Sequence, residues 1–190
     1  ELDGPSLSDE RPHDRSGVEG TGRVGLGWLA VDGWRLRSAG YTGWRLPTLN
    51  ELHRPFRVGA DAVAANPELE PERLWGAEAG LDFSAIAGLV VSGTAFLQVL
   101  RDAVANVTLS PGPGTFDGVG FVSADGVYRQ RRNLDAIQSL GGEMRAELDA
   151  RRLIGVRGLE LDVSYSHVNA VVRSSGEAAY LDGGAPAQLP

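Results

Sequence analysis

The feature that most restricts this chain is an alternation of apolar and polar residues with a period of two. From Gly142 to Ala150, Met144, Ala146, Leu148 and Ala150 alternate with Glu143, Arg145, Glu147 and Asp149. Leu159, Leu161, Val163 and Tyr165 alternate in the same way with Glu160, Asp162, Ser164 and Ser166. Trp75, Ala77, Ala79, Leu81 and Phe83 stand opposite Leu74, Gly76, Glu78, Gly80 and Asp82. Successive side chains of a strand point to opposite faces, so each run has one greasy face and one wet face. Weaker runs fit strands over 21–31 (Val24, Leu26, Trp28, Ala30), 34–42 (Trp34, Leu36) and about 89–104 (Leu89, Val91, Ala95, Leu97, Val99). The last also carries Val90, Phe96 and Leu100 on its other face. The expectation is an all-β chain of about six antiparallel strands. Several approach the roughly 9–11 residues that a tilted strand needs to cross a bilayer.

The connections narrow the choice further. Val31-Asp32-Gly33 is a tight hairpin signal, with Gly supplying a positive φ. Ser84 to Gly88 is a second short link and the stretch around Arg151 to Gly158 a third. Long links run from Gly43 to Arg73, from about Asp102 to Val127, and after Arg173. Short and long connections alternate strictly, which an outer-membrane barrel requires and a soluble sandwich does not. A compact soluble domain also avoids structureless loops of more than about 12–15 residues. The reading is three consecutive hairpins of a transmembrane β-barrel, with residues 1–190 forming one partial barrel domain and no internal boundary or repeat. Trp28, Trp34, Trp44 and Trp75 fall at or near strand ends, where an aromatic girdle sits. Six strands leave unpaired edges, so the isolated piece is expected to aggregate or fold poorly.

Composition removes several other classes. A formal net charge of −7 argues against a nucleic-acid partner or a basic membrane patch. The densest basic cluster, Arg129, Arg131 and Arg132, reads as a solvated strand end. The absence of cysteine excludes disulfides, thiolate metal sites and cysteine nucleophiles. His13, His53 and His167 lie on different elements, with no two at metal-ligand spacing, so no metal site and no cofactor are expected. Glu68, Glu70 and Glu72 alternate, but two prolines interrupt them, and they read as a loop lining rather than an acid–base pair. There is no Gly-x-Ser-x-Gly elbow. Gly112-Pro113-Gly114 and Gly118-Val119-Gly120 lack the lysine and following helix of a phosphate loop. No catalytic residue is assigned.

Two segments carry a family resemblance. Tyr41-Thr-Gly-Trp-Arg-Leu-Pro-Thr-Leu-Asn-Glu-Leu-His-Arg-Pro-Phe56 resembles the stretch with which an upward strand ends in TonB-dependent outer-membrane receptors. Asn66-Pro67-Glu68-Leu69-Glu70-Pro71-Glu72, followed by Glu78 and Gly80, is similar to that family's Asn-Pro-x-Leu-x-Pro-Glu signature and its Glu-x-Gly strand. Further likeness runs through Arg101 to Asn106, Asn133 to Glu143 and Ser164 to Ala170, although Gly142 stands where the family usually has a branched residue. The resemblance covers about residues 22–190.

It implies a slice from the C-terminal part of a barrel of about 22 strands with a plugged lumen. The start at Glu1 and the end at Pro190, which is not the aromatic residue that usually closes such barrels, suggest an internal piece without plug domain or energy-coupling box. The implied partners are outer-membrane lipid, the plug and TonB complex through the rest of the receptor, and a small-molecule nutrient or metal chelate. A ferric siderophore is the expected cargo. External loops would supply the ligand contacts, for which Arg54, Phe56, Arg57, Tyr128 and Arg129 combine charge with aromatic surface. Two rivals remain at this point. One is a soluble all-β module that binds carbohydrate or protein, and the other is an enzyme with a carboxylate pair on a β scaffold.

Overall fold

The computed structural model describes residues 15–174, 180–184 and 186. His13 and Pro190 lie outside them. Six long strands form an antiparallel meander: β1 (Gly22–Val31), β2 (Trp34–Arg45), β5 (Glu72–Phe83), β6 (Leu89–Pro111), β9 (Val127–Asp149) and β10 (Glu160–Ser174). Each pairs with its neighbour along the chain, in the order β1-β2-β5-β6-β9-β10. The three hairpins expected from the sequence are present. Asp32 and Gly33 make the first turn, with Gly33 at φ 77°. The third link contains one turn of helix, α2 (Ala150–Ile154), capped by the Asp149 side chain and closed by Gly155 in the left-handed region.

The register carries the alternation across the whole sheet. Trp28, Leu36, Leu81, Gly93, Met144 and Tyr165 lie in one row, and Gly40, Ala77, Leu97, Leu140 and Asn169 in another. These rows face outward. The large apolar residues of this face are open: Leu26, in the row between them, is 73% exposed, Trp28 64% and Tyr165 63%. In water, so much apolar surface would demand a second layer, which the described residues do not supply; facing acyl chains, it needs none. Trp34 and Trp44 sit ten residues apart on this face of β2. That is about 33 Å along the strand, or about 25 Å across a membrane at a barrel tilt of about 40°. The lower end is marked by Trp34 against Phe83, with ring centroids 4.6 Å apart.

The inner face is polar and self-paired. Arg23 meets Glu78 at 2.6 Å, and Asp82 accepts both Arg35 at 2.8 Å and Arg37 at 3.2 Å. Arg37 also donates to Thr94, and Gln98 donates to the Tyr41 hydroxyl at 2.9 Å. Arg145 bridges Glu147 and Asp162. Glycines give these groups room: Gly80 lies under the Arg37 guanidinium and Gly76 under the Tyr41 ring.

The expected long link over 102–127 is mostly strand. β6 runs on to Pro111 and β9 begins at Val127, each 23 residues or about 75 Å long. Only 112–126 separates them, and it contains a small hairpin of β7 (Gly114–Phe116) and β8 (Gly120–Val122). The extension escaped the alternation argument because, well above the apolar band, neither face of 127–133 meets lipid. Its arginines are used for local bonds instead. Val107, Ala103, Leu134, Ile137 and Val172 form a buried cluster at the base of this projection, with Leu181 packed against it.

Candidate functional site

Above the outer end of the wall stands a tier made from the two long connections. The link from β2 to β5 carries a short helix α1 (Leu49–His53) and the strands β3 (Phe56–Val58) and β4 (Asp61–Ala64). Thr48 starts the helix with a capping box: its Oγ1 accepts the Glu51 N–H at 3.2 Å, and Glu51 Oε2 accepts the Thr48 N–H at 2.7 Å. The Pro-Thr-Leu-Asn-Glu sequence thus encodes one reciprocal cap. Arg45 ties it to the sheet, donating to Glu51 at 3.0 Å and to Glu72. Glu72 is 8% exposed and also accepts the Val104 N–H at 2.7 Å. The sequence reading placed Glu72 in a loop lining; it opens β5 as a buried, satisfied acceptor. Burial pushes the Glu51 carboxyl up, but the bonds from Arg45 and Thr48 outweigh that and hold it below the ordinary carboxylate range.

β4 then pairs in parallel with the projecting part of β9, Ala62 with Tyr128, Val63 with Arg129 and Ala64 with Gln130. Ala62, Val63 and Ala64 are buried. The Asn-Pro-x-Leu-x-Pro-Glu segment fastens the return. Asn66 donates to the Arg131 carbonyl at 2.9 Å, Leu69 is 1% exposed, and Asn133 both accepts the Glu70 N–H at 2.9 Å and donates to the Glu70 carbonyl at 3.1 Å.

Arg131 is the centre of this bracing. Its guanidinium donates to the carbonyls of Asn50 at 2.7 Å, Arg54 at 3.0 Å and Glu51 at 3.4 Å, and sits 4.8 Å from the centre of the Phe56 ring. Burial moves it down from the usual arginine value. The cluster of Arg129, Arg131 and Arg132 is therefore not a solvated strand end: β4 and β6 flank it, and Arg132 donates to Gln130 at 3.2 Å.

The five residues singled out from the sequence all belong to this tier. Antiparallel pairing sets Arg57 opposite Ala62 and Phe56 opposite Val63, so Arg57 and Tyr128 share one row while Phe56 and Arg129 share the next. Four of them brace the tier. Arg57 donates to the carbonyls of Val119 and Phe121, both at 2.6 Å, and so holds the β7–β8 hairpin. Tyr128 stacks on Phe116 at 4.3 Å. Arg129 pairs with Asp61 at 2.8 Å, and Phe56 lies under Arg131. Arg54, at the end of α1, is exposed and its side chain has no partner among the described residues. The sequence reading took Arg131 for part of a solvated strand end and did not single out Asp61, whose roles depend on β4 meeting β9; Asn66 and Asn133 stood in segments that carry the family resemblance. Among the described residues no group of three His, Asp or Glu could hold a metal ion.

Comparison with known proteins gives this architecture a family. The model of the TonB dependent receptor-like β-barrel matches residues 3–190. An iron-regulated outer membrane virulence protein of Vibrio cholerae is 27% identical over 169 residues, 87% of this chain and 25% of that protein. The siderophore receptor PirA from Pseudomonas aeruginosa shares the fold with a TM-score of 0.64 at 12% identity, over 81% of this chain and 28% of its own. The ferric enterobactin receptor PfeA of the same organism gives 0.57 at 18% identity, over 78% and 21%. The chain spans about a quarter of the curated relative it matches. A family match along almost the whole chain, on a fold these receptors share, leads to one conclusion: the chain belongs to the TonB-dependent receptor-like β-barrel family, and its place is the outer membrane of a Gram-negative cell.

Proposed function

We propose that the receptor containing this chain binds a ferric siderophore or a similar metal chelate at its external mouth and imports it across the outer membrane. The TonB complex, acting on a plug domain supplied by the rest of the receptor, drives release into the periplasm. The observation that carries the reading is the braced external tier, on which four of the five selected residues fix the scaffold and the exposed Arg54 side chain has no partner among the described residues. A braced backbone carrying an exposed guanidinium suits an anionic chelate, because the platform is ordered before the ligand arrives and only the Arg54 side chain has to be fixed on binding. The names of the relatives, an iron-regulated protein, a siderophore receptor and a ferric enterobactin receptor, support the same cargo class. In this reading Arg54 touches the ligand, and Phe56, Arg57, Tyr128 and Arg129 shape the surface around it.

The test is binding and uptake of radiolabelled ferric enterobactin and a panel of other ferric chelates by cells expressing the intact receptor, with and without TonB. TonB-dependent uptake of at least one chelate is expected. Arg54→Ala should weaken binding about tenfold, the size of one charged hydrogen bond, without changing folding. A receptor that takes up none of the panel and binds none of it would overturn the proposal.

A further inference from the structure

Arg73 of β5 and Arg101 of β6 stand directly opposite each other in the ladder, in the same outward row as Trp44 of β2. Like charges facing across a strand pair are destabilising unless an anion compensates them. Arg73 has its own anions, Glu19 at 2.5 Å and Asp102 at 3.1 Å. Arg101 is exposed and has no acidic partner among the described residues. Its position sets what can compensate it: the row lies at the upper limit of the apolar band, where headgroups rather than bulk water surround the wall.

Immediately below this row the outer face is hollow. The next two rows run Thr42–Trp75–Val99 and Gly40–Ala77–Leu97. Their small members, Gly40, Thr42 and Ala77, form the floor of a groove of about 640 Å³, with Trp75, Leu97 and Val99 beside it. A cation at headgroup height above an apolar trough matches one kind of ligand, an amphiphile with an anionic head. We propose that Arg101, with Arg73 beside it, seats a phosphate group of an outer-leaflet lipid whose acyl chain lies in this groove. Arg101 suits that role because the guanidinium fork binds phosphate oxygens in pairs, while Arg73 is held in place beside it by Glu19 and Asp102. The site depends on the chain's place in the membrane and not on the cargo, so a receptor that failed every chelate assay would still present it.

The test uses the intact receptor in dodecyl maltoside, with diphosphoryl lipid A as the probe and native mass spectrometry to count bound lipid. Arg101→Gln should lose one tightly held lipid, with affinity falling about tenfold. Arg101→Lys should fall between wild type and Arg101→Gln, because the charge remains and the fork is gone. Arg157→Gln, in the turn at the opposite end of the wall, should bind as wild type does. Dephosphorylated lipid A should bind the wild-type receptor no better than the phosphorylated lipid binds Arg101→Gln. Equal binding by wild type and Arg101→Gln, in samples shown folded by heat-modifiable gel mobility, would overturn the proposal. Equal binding of phosphorylated and dephosphorylated lipid by the wild type would do the same.

Discussion

Removing the Arg131 side chain should release the external tier while leaving the membrane wall intact. The guanidinium holds the carbonyls of Asn50, Glu51 and Arg54 at 2.7, 3.4 and 3.0 Å, and covers the Phe56 ring. A charged donor contributes about 1.5–3 kcal/mol per hydrogen bond when the acceptor has no substitute. Here the 3.4 Å bond is weak, and the group is only partly buried, so water replaces some of what Arg131→Ala removes. A loss of about 2–3 kcal/mol is expected, concentrated on residues 49–58. That corresponds to roughly 30- to 150-fold faster opening of this segment. Amide hydrogen exchange on the intact receptor, resolved by peptide, measures it directly. Protection should fall by that factor over 49–58 and stay unchanged over 136–149, whose bonds belong to the β6–β9–β10 ladder. Arg131→Lys should recover part of the effect, since an ammonium reaches one or two carbonyls but does not stack as the planar group does. Unchanged exchange over 49–58, or equal loss over 136–149, would refute the claim that Arg131 holds a separable tier.

Three further outcomes follow from the same geometry. The Glu51 carboxyl is held low in the folded state, so its contribution is present above the unfolded value and is lost as pH falls through the folded one; protection of 48–54 should drop on acidification from about pH 5 to pH 3, and Glu51→Gln should remove that dependence. At Gly141 an added Cβ would lie 2.5 Å from the Phe96 ring and 2.6 Å from the His167 carbonyl, whereas at Gly142 it would meet only the Thr94 carbonyl at 3.3 Å. Gly141→Ala should therefore destabilise the receptor by about 1–3 kcal/mol in urea titrations and Gly142→Ala by less. Arginine placed at Ala95, in the middle of the outer face, should cost about 2–4 kcal/mol of folding free energy in bilayers, and at Val99, near the rim, about 0–1 kcal/mol.

The wall was legible because each of its strands answers to two solvents at once. Lipid on one side and a polar lumen on the other force the alternation seen at Trp75 to Phe83 and Leu159 to Tyr165, and that alternation fixes the face of every residue. The projecting half of β9 answers to neither. Arg129, Arg131 and Arg132 satisfy Asp61, three loop carbonyls and Gln130, so their pattern looks like an unstructured charged run. The helix α1 was not foreseen, since five residues carry no useful periodicity and Tyr41 to Phe56 read as a strand end followed by a long link. The site residues were chosen for charge and aromatic surface. That Phe56 and Arg57 meet Tyr128 and Arg129 on adjacent rows depends on a parallel pairing that no local rule announces.

That parallel pairing also orders how the chain assembles. The hairpins close between residues a short turn apart, at little entropic cost, and can form as each pair of strands enters the membrane. β4 and β9 meet only after the whole β5–β6 hairpin between them has been laid down, because β4 pairs with the part of β9 that β6 already flanks. The tier that faces the outside is therefore expected to be the last part to fold and the first to let go. A refolding receptor should acquire its wall, and with it its grip on the membrane, before it acquires a surface fit to greet a ligand.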